Sequence, residues 1–383
     1  MSHDLPERPK RHAFTLVEML TVVIIIGILA GMMLVAFGAA RTRARAATIK
    51  MEITQLQIAL ERYKMEYGDY PPDFVGCNHN INTPNDPIRI FARQAVLRHL
   101  RKRFPRYNIP NGTPDQQFEW FVYQVYNATG LVIGTVNNFD VGTVVGNVKL
   151  PALETRSMNT SQAMVFWLGG LPSTYASTEL TQFSANPSNP IENATDAPRR
   201  TSVIYEFDRR KLLLYRAATQ DWTNSPTDPA IDASTAPAYG VASSGGVMVP
   251  FAYFYPIGTP YTGSGGNLQE SIYLQAIFAS SSNLRAAPYA DSTTYDVPPP
   301  QTPLVLRLAN LRWINSGKPQ IISAGLDGGF GSINNTDLLH PHVPYLFPSG
   351  LNLVADSMGG VHDDNITNFT DGGTVGDDIK AQQ

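Results

Sequence analysis

The chain has 383 residues, a formal net charge of −3 and 16% charged side chains. That is room for one large domain or two ordinary ones, without the basic field that nucleic-acid binding requires, so nucleic acid is set aside as a partner. A single cysteine, Cys77, rules out an intrachain disulfide and a thiolate metal cluster, and the seven histidines show neither an H-E-x-x-H spacing nor a Cys/His zinc pattern.

Residues 1–13 form a short polar leader containing Arg8, Lys10 and Arg11. Residues 19–40 follow without a single charged side chain. As a helix they would extend about 33 Å, enough to cross a hydrocarbon core of about 30 Å. An ordinary secretory signal places its small-residue cleavage site after the apolar run. Here the small residue Ala13 precedes it, so a cut at that point leaves the apolar helix on the mature chain as an anchor. Basic residues flank the run on both sides, with Arg41, Arg43, Arg45 and Lys50 following it, so the positive-inside bias does not choose an orientation.

Phe14-Thr15-Leu16-Val17-Glu18-Met19-Leu20, after a basic leader and before an unbroken apolar run, closely resembles the cleavage and methylation motif of type IV prepilins and type II secretion pseudopilins. The resemblance implies a cut between Ala13 and Phe14 by a membrane prepilin peptidase on the cytoplasmic side, then methylation of the new amine on Phe14. It also gives Glu18 a role. A carboxylate at the start of a membrane helix needs a partner, and the resemblance supplies the Phe14 amine of a neighbouring subunit; a Glu facing lipid headgroups is the plain alternative. Family members usually have Gly at the position of Ala13, and many carry a proline where this chain has Val35. Gly27 and Gly31 form a small-xxx-small pair that permits close helix approach, although general membrane-helix composition accounts for it equally well.

Beyond the basic cluster, Ile49, Ile53, Leu56, Leu60, Tyr63 and Tyr67 recur at steps of three and four, the stripe of an amphipathic helix. One helix is therefore predicted over 14–67, with a transmembrane segment at 16–40, ended by Gly68 and Pro71-Pro72. Residues 56–71 resemble the end of the same helix in the major pseudopilin of type II secretion, through Ala59, Leu60, Tyr63, Lys64, Gly68, Tyr70 and Pro71.

Residues 68–383 form the predicted globular part. Asp86-Pro87 starts a second helix, one side of which carries Arg89, Arg93, Arg98, Arg101, Lys102, Arg103 and Arg106. That side reads as solvated, or as facing anionic headgroups or an acidic partner. Strands are predicted over 118–126, 131–136, 202–207, 211–215, 247–255 and 271–279, and a short helix over 162–171. Segments 173–198 and 287–303 read as linkers. The fold class is α+β: a long N-terminal helix, transmembrane in its first half, packed on an antiparallel sheet in a pilin-like body.

Near the C-terminus, Gly325-Leu326-Asp327-Gly328 and Asp363-Asp364-Asn365-Ile366-Thr367-Asn368 resemble the two halves of the calcium loop of the major pseudopilin, here separated by an insertion. Calcium takes six to eight hard oxygen ligands. The resemblance implies a structural calcium held by Asp327, Asp363, Asp364 and the Leu326 carbonyl; two Asp/Gly turns without metal are the alternative.

No G-x-S-x-G, phosphate loop or paired catalytic motif appears, so a structural role is expected rather than an enzyme. The resemblance implies a subunit of a type II secretion pseudopilus or type IV pilus-like filament. Its partners would be other pilin-like subunits, the assembly platform, the prepilin peptidase and membrane lipid. It would lie once across the inner membrane with its C-terminal part in the periplasm or outside. A pilus-tip or surface adhesin that shares the anchor is the second reading.

Overall fold

The structure, a computed structural model, describes residues 16–74, 77, 87–128, 144–145, 148–149, 158, 160–174, 177–192, 200–216, 221–228, 236–255, 276–277, 285–286, 289–291, 314, 317–330, 345–347, 365–370 and 375. It divides into two compact units, Met1–Arg45 and Ala46–Gln383. Helix α1 (Leu16–Tyr67) supplies all the described residues of the first unit and the opening of the second.

The predicted stripe is the buried face of α1 in the second unit. Ile49, Ile53, Leu56, Leu60 and Tyr63 are buried there, and Tyr67 packs against their edge. Gly68, at φ 74°, closes the helix with its amide on the Lys64 carbonyl at 2.7 Å, a left-handed turn that favours glycine. The chain leaving α1 is then pinned: Tyr253 Oη donates to the Pro71 carbonyl at 2.6 Å and Trp167 Nε1 to the Pro72 carbonyl at 3.0 Å.

Helices α2 (Pro87–Arg103), α3 (Pro114–Ala128) and α4 (Thr160–Gly169) complete the helical layer. Helix α4 is buried along its whole length and ends at the Gly169-Gly170 pair, as predicted from its sequence. The α3 region corrects the sequence reading, which placed a strand over 118–126. Its aromatic content suggests a strand, but Phe118, Phe121, Val122 and Val125 fall at helical spacing and are buried. Thr113 and Gln116 form a reciprocal capping box, with the Gln116 side chain accepting from the Thr113 amide at 2.9 Å and the Thr113 hydroxyl from the Gln116 amide at 3.3 Å. Pro114 sits in the first helical position, where its missing N–H costs nothing.

The basic side of α2 is also corrected. Arg98, Arg101, Lys102 and Arg106 are exposed, but Arg89, Arg93 and Arg103 are buried. Arg89 and Arg93 reach Asp115 of α3 at 3.2 and 3.0 Å, and Arg93 also reaches Glu119 at 3.2 Å. Arg103 lies against the rings of Tyr63, Tyr67 and Phe183 at 4.9, 4.7 and 4.4 Å and donates to the Trp167 carbonyl at 2.7 Å. These guanidiniums hold the helices to one another, and π faces accept a charge that water would otherwise solvate.

Two antiparallel sheets carry the rest of the described core. In the first, β1 (Leu212–Arg216) lies between β2 (Asp221–Thr223) and β3 (Ala238–Ala242), and β3 continues to β4 (Met248–Pro250). In the second, β6 (Gln320–Ser323) lies between β5 (Ala252–Phe254) and β7 (Ile366–Thr367). The strand expected over 247–255 is thus two strands that change sheet at Phe251, directly after Pro250, which cannot donate to a ladder. Strand β1 matches the expected 211–215 within a residue. Residues 202–207 are irregular rather than a strand; 131–136 lies outside the described residues, and only Ala276–Ile277 of 271–279 is described as strand. The expected linkers 173–198 and 287–303 contain short strands at Leu180–Thr181 and Tyr289–Asp291. The protein is α+β, with an apolar N-terminal helix and antiparallel sheets carrying helices.

Phe74, Phe118, Phe121, Phe166, Trp167 and Phe183 form one aromatic cluster in the core. A half-buried ion pair ties α1 to the turn that enters β1. Lys211 bonds Glu52, whose second oxygen accepts from Tyr239 Oη at 3.5 Å.

Candidate functional site

Among the described residues, two places stand apart from the packed core. The first is the start of α1. Residues Leu16–Met33 form an 18-residue apolar helical stretch of which none is buried within the chain; Leu16, Val23 and Met32 are 82%, 65% and 69% exposed. A continuous apolar surface of this length is stable only in lipid or against other protein, and by length and composition the helix can cross a membrane. Glu18, exposed in the first turn, is the sole acidic residue of this stretch. Thr21 Oγ1 donates to the Val17 and Glu18 carbonyls, both at 3.0 Å, which satisfies its hydroxyl inside the helix. Neither Gly27 nor Gly31 has an atom within 4 Å of where a Cβ would stand, so the small-residue face is open. Ala13 and Phe14, the predicted cut and methylation positions, lie outside the described residues.

The second place is the turn after β6. Gly328, at φ 81°, lies so close to the β3–β4 hairpin that an added Cβ would stand 2.9 Å from Ser243 Cβ. Asp327 Oδ1 accepts from the Gly329 amide at 2.7 Å, an Asx turn, and the Leu326 carbonyl accepts from the Ser244 amide at 2.7 Å. Antiparallel pairing of Ser323 with Ile366 places residues 366–367 beside the strand that leads into this turn. Asp363 and Asp364 lie outside the described residues.

Asn365, which the sequence reading did not choose as a ligand, is the unexpected member. It is fully buried; Nδ2 donates to Tyr289 Oη at 2.9 Å and to the Phe330 carbonyl at 3.1 Å, while Oδ1 is buried without a hydrogen-bond partner. A buried amide oxygen without a donor costs roughly 1–3 kcal/mol, and it is also a hard ligand for a cation. The available signal was its position directly after two aspartates. Among the described residues, no three of His, Cys, Asp and Glu gather in one place.

Together these features define a class: an α+β protein carrying one exposed apolar N-terminal helix long enough to anchor it in a membrane. Residues 8–34 match the prokaryotic N-terminal methylation motif. They include Ala13, Phe14 and Glu18, so the chain carries the prepilin-type motif. Over 95 residues, 24% of this chain and 67% of the relative, it is 28% identical to the type II secretion system core protein G of Klebsiella michiganensis. No solved structure matches.

Proposed function

We propose that this protein is a structural subunit of a type II secretion pseudopilus or type IV pilus-like filament, supporting protein secretion. Prepilin peptidase cuts between Ala13 and Phe14, Phe14 is N-methylated, and the chain crosses the inner membrane once with its C-terminal body outside the cytoplasm. In the filament, Glu18 pairs with the Phe14 amine of a neighbour, which neutralises a carboxylate in an apolar setting and fixes axial register. Its partners are other pilin-like subunits and the assembly platform, and its role is structural rather than enzymatic. The observation that carries this reading is the coincidence of the matched motif with an apolar helix none of whose residues is buried.

Intact-mass measurement of the membrane-extracted protein tests it. The mature chain is expected to begin at a methylated Phe14, and Glu18→Ala is expected to be processed but not assembled. Recovery of residues 1–13 on the mature protein would remove the proposal.

A second reading is favoured by size, because the similarity to core protein G spans only 24% of this chain. A pilus-tip or surface adhesin sharing the anchor would use the remainder for binding. Copy number separates the two, since a main filament subunit greatly outnumbers a tip protein.

The C-terminal turn is proposed as a structural calcium site formed by Asp327, Asp363, Asp364 and the Leu326 carbonyl, with Asn365 Oδ1 as an added amide ligand. The donor set is all oxygen, as calcium requires, and the partnerless Asn365 Oδ1 supports the fit. Bound calcium would stabilise the body by about 2.7 kcal/mol at a hundredfold excess over Kd. An unchanged melting temperature on adding a chelator would exclude the site.

A further inference from the structure

The apolar stretch of α1 runs into a group of cations. Arg41, Arg43 and Arg45 close the first compact unit; all three are exposed, and among the described residues none of them forms an ion pair. From Gly38 to Thr48 every other residue is Gly, Ala or Thr, so three long guanidinium side chains stand on a slender length of helix with no bulky neighbour along it. Between them Thr42 turns its hydroxyl back onto the Gly38 carbonyl at 3.1 Å, which satisfies it inside the helix.

Helical residues follow one another at about 100°, so Arg41 and Arg45 share one side of α1 and Arg43 takes the other. The three occupy about 6 Å of the helix axis. A bilayer about 40–45 Å thick around a core of about 30 Å leaves a headgroup layer of about 5–7 Å on each face. When the uncharged run 19–40 fills the core, the arginines fall within that layer.

The charge selects what covers them. Copies of this chain aligned side by side along the arginines would set like charges against one another, which disfavours a second copy as the occupant. Lipid phosphates lie at this depth on every side of the helix, and a guanidinium takes a phosphate through two parallel N–H donors. We infer that Arg41, Arg43 and Arg45 form a collar that binds anionic phospholipid headgroups and holds α1 at a fixed depth where it leaves the membrane. This inference rests on the membrane-anchor reading above.

The test uses the full chain in a neutral detergent with equal amounts of phosphatidylglycerol and phosphatidylcholine, and native mass spectrometry reads which lipid stays bound. The wild type is expected to retain phosphatidylglycerol in preference. A basic residue near an anionic surface strengthens association about fivefold, so Arg43→Gln is expected to cut the preference about fivefold, and the triple change Arg41→Gln, Arg43→Gln and Arg45→Gln to abolish it. Lysine at all three positions should keep most of it. Arg98→Gln with Arg101→Gln, on the exposed side of α2, should leave it unchanged. Equal retention of the two lipids by the wild type, or an undiminished preference in the triple variant, overturns the inference. So does a preference lost in the α2 variant, which would move the lipid site to the body. A triple variant that keeps the preference but fails to assemble would show that the arginines meet carboxylates of a neighbouring subunit instead, and overturns it as well. A wild type that retains neither lipid and stays out of phosphatidylcholine vesicles brings down the membrane reading too, unlike one that enters vesicles without discriminating between lipids.

Discussion

The stretches of α1 on either side of Arg45 share a helical backbone and have opposite side-chain environments. Before it, Leu20, Ile24 and Ile28 are more than half exposed; after it, Ile53, Leu56 and Leu60 are fully buried. The contrast shows that a helix of this length is not stabilised in one way. The second stretch gains its stability from packing within its own chain, whereas the first is not buried within the chain and needs lipid or other protein to cover it.

Substitutions in the two stretches should therefore separate cleanly, and the largest effect falls on the packed one. Leu56→Ala is expected to destabilise the body by about 3–5 kcal/mol, the cost of a cavity in a tight core. Leu20→Ala or Ile28→Ala should leave it within about 0.5 kcal/mol. Denaturant unfolding of the detergent-solubilised chain, followed by near-ultraviolet circular dichroism, measures both, and equal losses would break the contrast. A smaller loss is expected from Lys211→Met. It leaves the buried Glu52 carboxylate with only the Tyr239 hydroxyl of the contacts described above. About 2–3 kcal/mol should be lost, less than a fully buried pair would cost because Lys211 is a third exposed. The double variant with Glu52→Gln should recover much of it.

Acidification sharpens the comparison next. His99, on the α2 face against α1, bonds Tyr63 Oη at 2.7 Å, and burial lowers its pKa to about 3. The unfolded chain, with a pKa near 6.5, binds the proton first. Stability is therefore expected to fall as pH drops from about 6.5 towards 3, by about 1–2 kcal/mol between pH 7 and 5. His99→Gln should flatten that part of the pH profile of the melting temperature; an unchanged slope would mean that other groups govern it. The smallest effect on the body belongs to Glu18→Ala, within about 0.5 kcal/mol, although the same change is expected to abolish assembly. A variant that both unfolds the body and blocks assembly would mean that the two stretches are not separable.

Much of this was legible in the sequence because it is local. The stripe from Ile49 to Tyr67, the Gly68 stop, the buried α4 and the apolar run after Glu18 each depend on neighbours three or four residues away, and all were read with the right element type. The misreadings share one cause. In α3, aromatic side chains outweighed a capping box that was present in Thr113 and Gln116. In α2, a row of arginines looked solvated because its carboxylate and π partners stand on α1, α3 and α4. At the C-terminal turn, Asp327 was legible as a turn residue, but Asn365 stood out only once its oxygen was seen buried without a donor.

By itself the sequence determined an apolar helix with one acid in its first turn and basic residues on either side, because hydrophobic run length and charge placement need no folding to be read. Only the tertiary structure decided which arginines are buried, where residues 247–255 change sheet, and that Lys50 meets Thr367 and Thr370 more than three hundred residues away. Such contacts depend on burial and on pairing between distant segments, and no local periodicity encodes them.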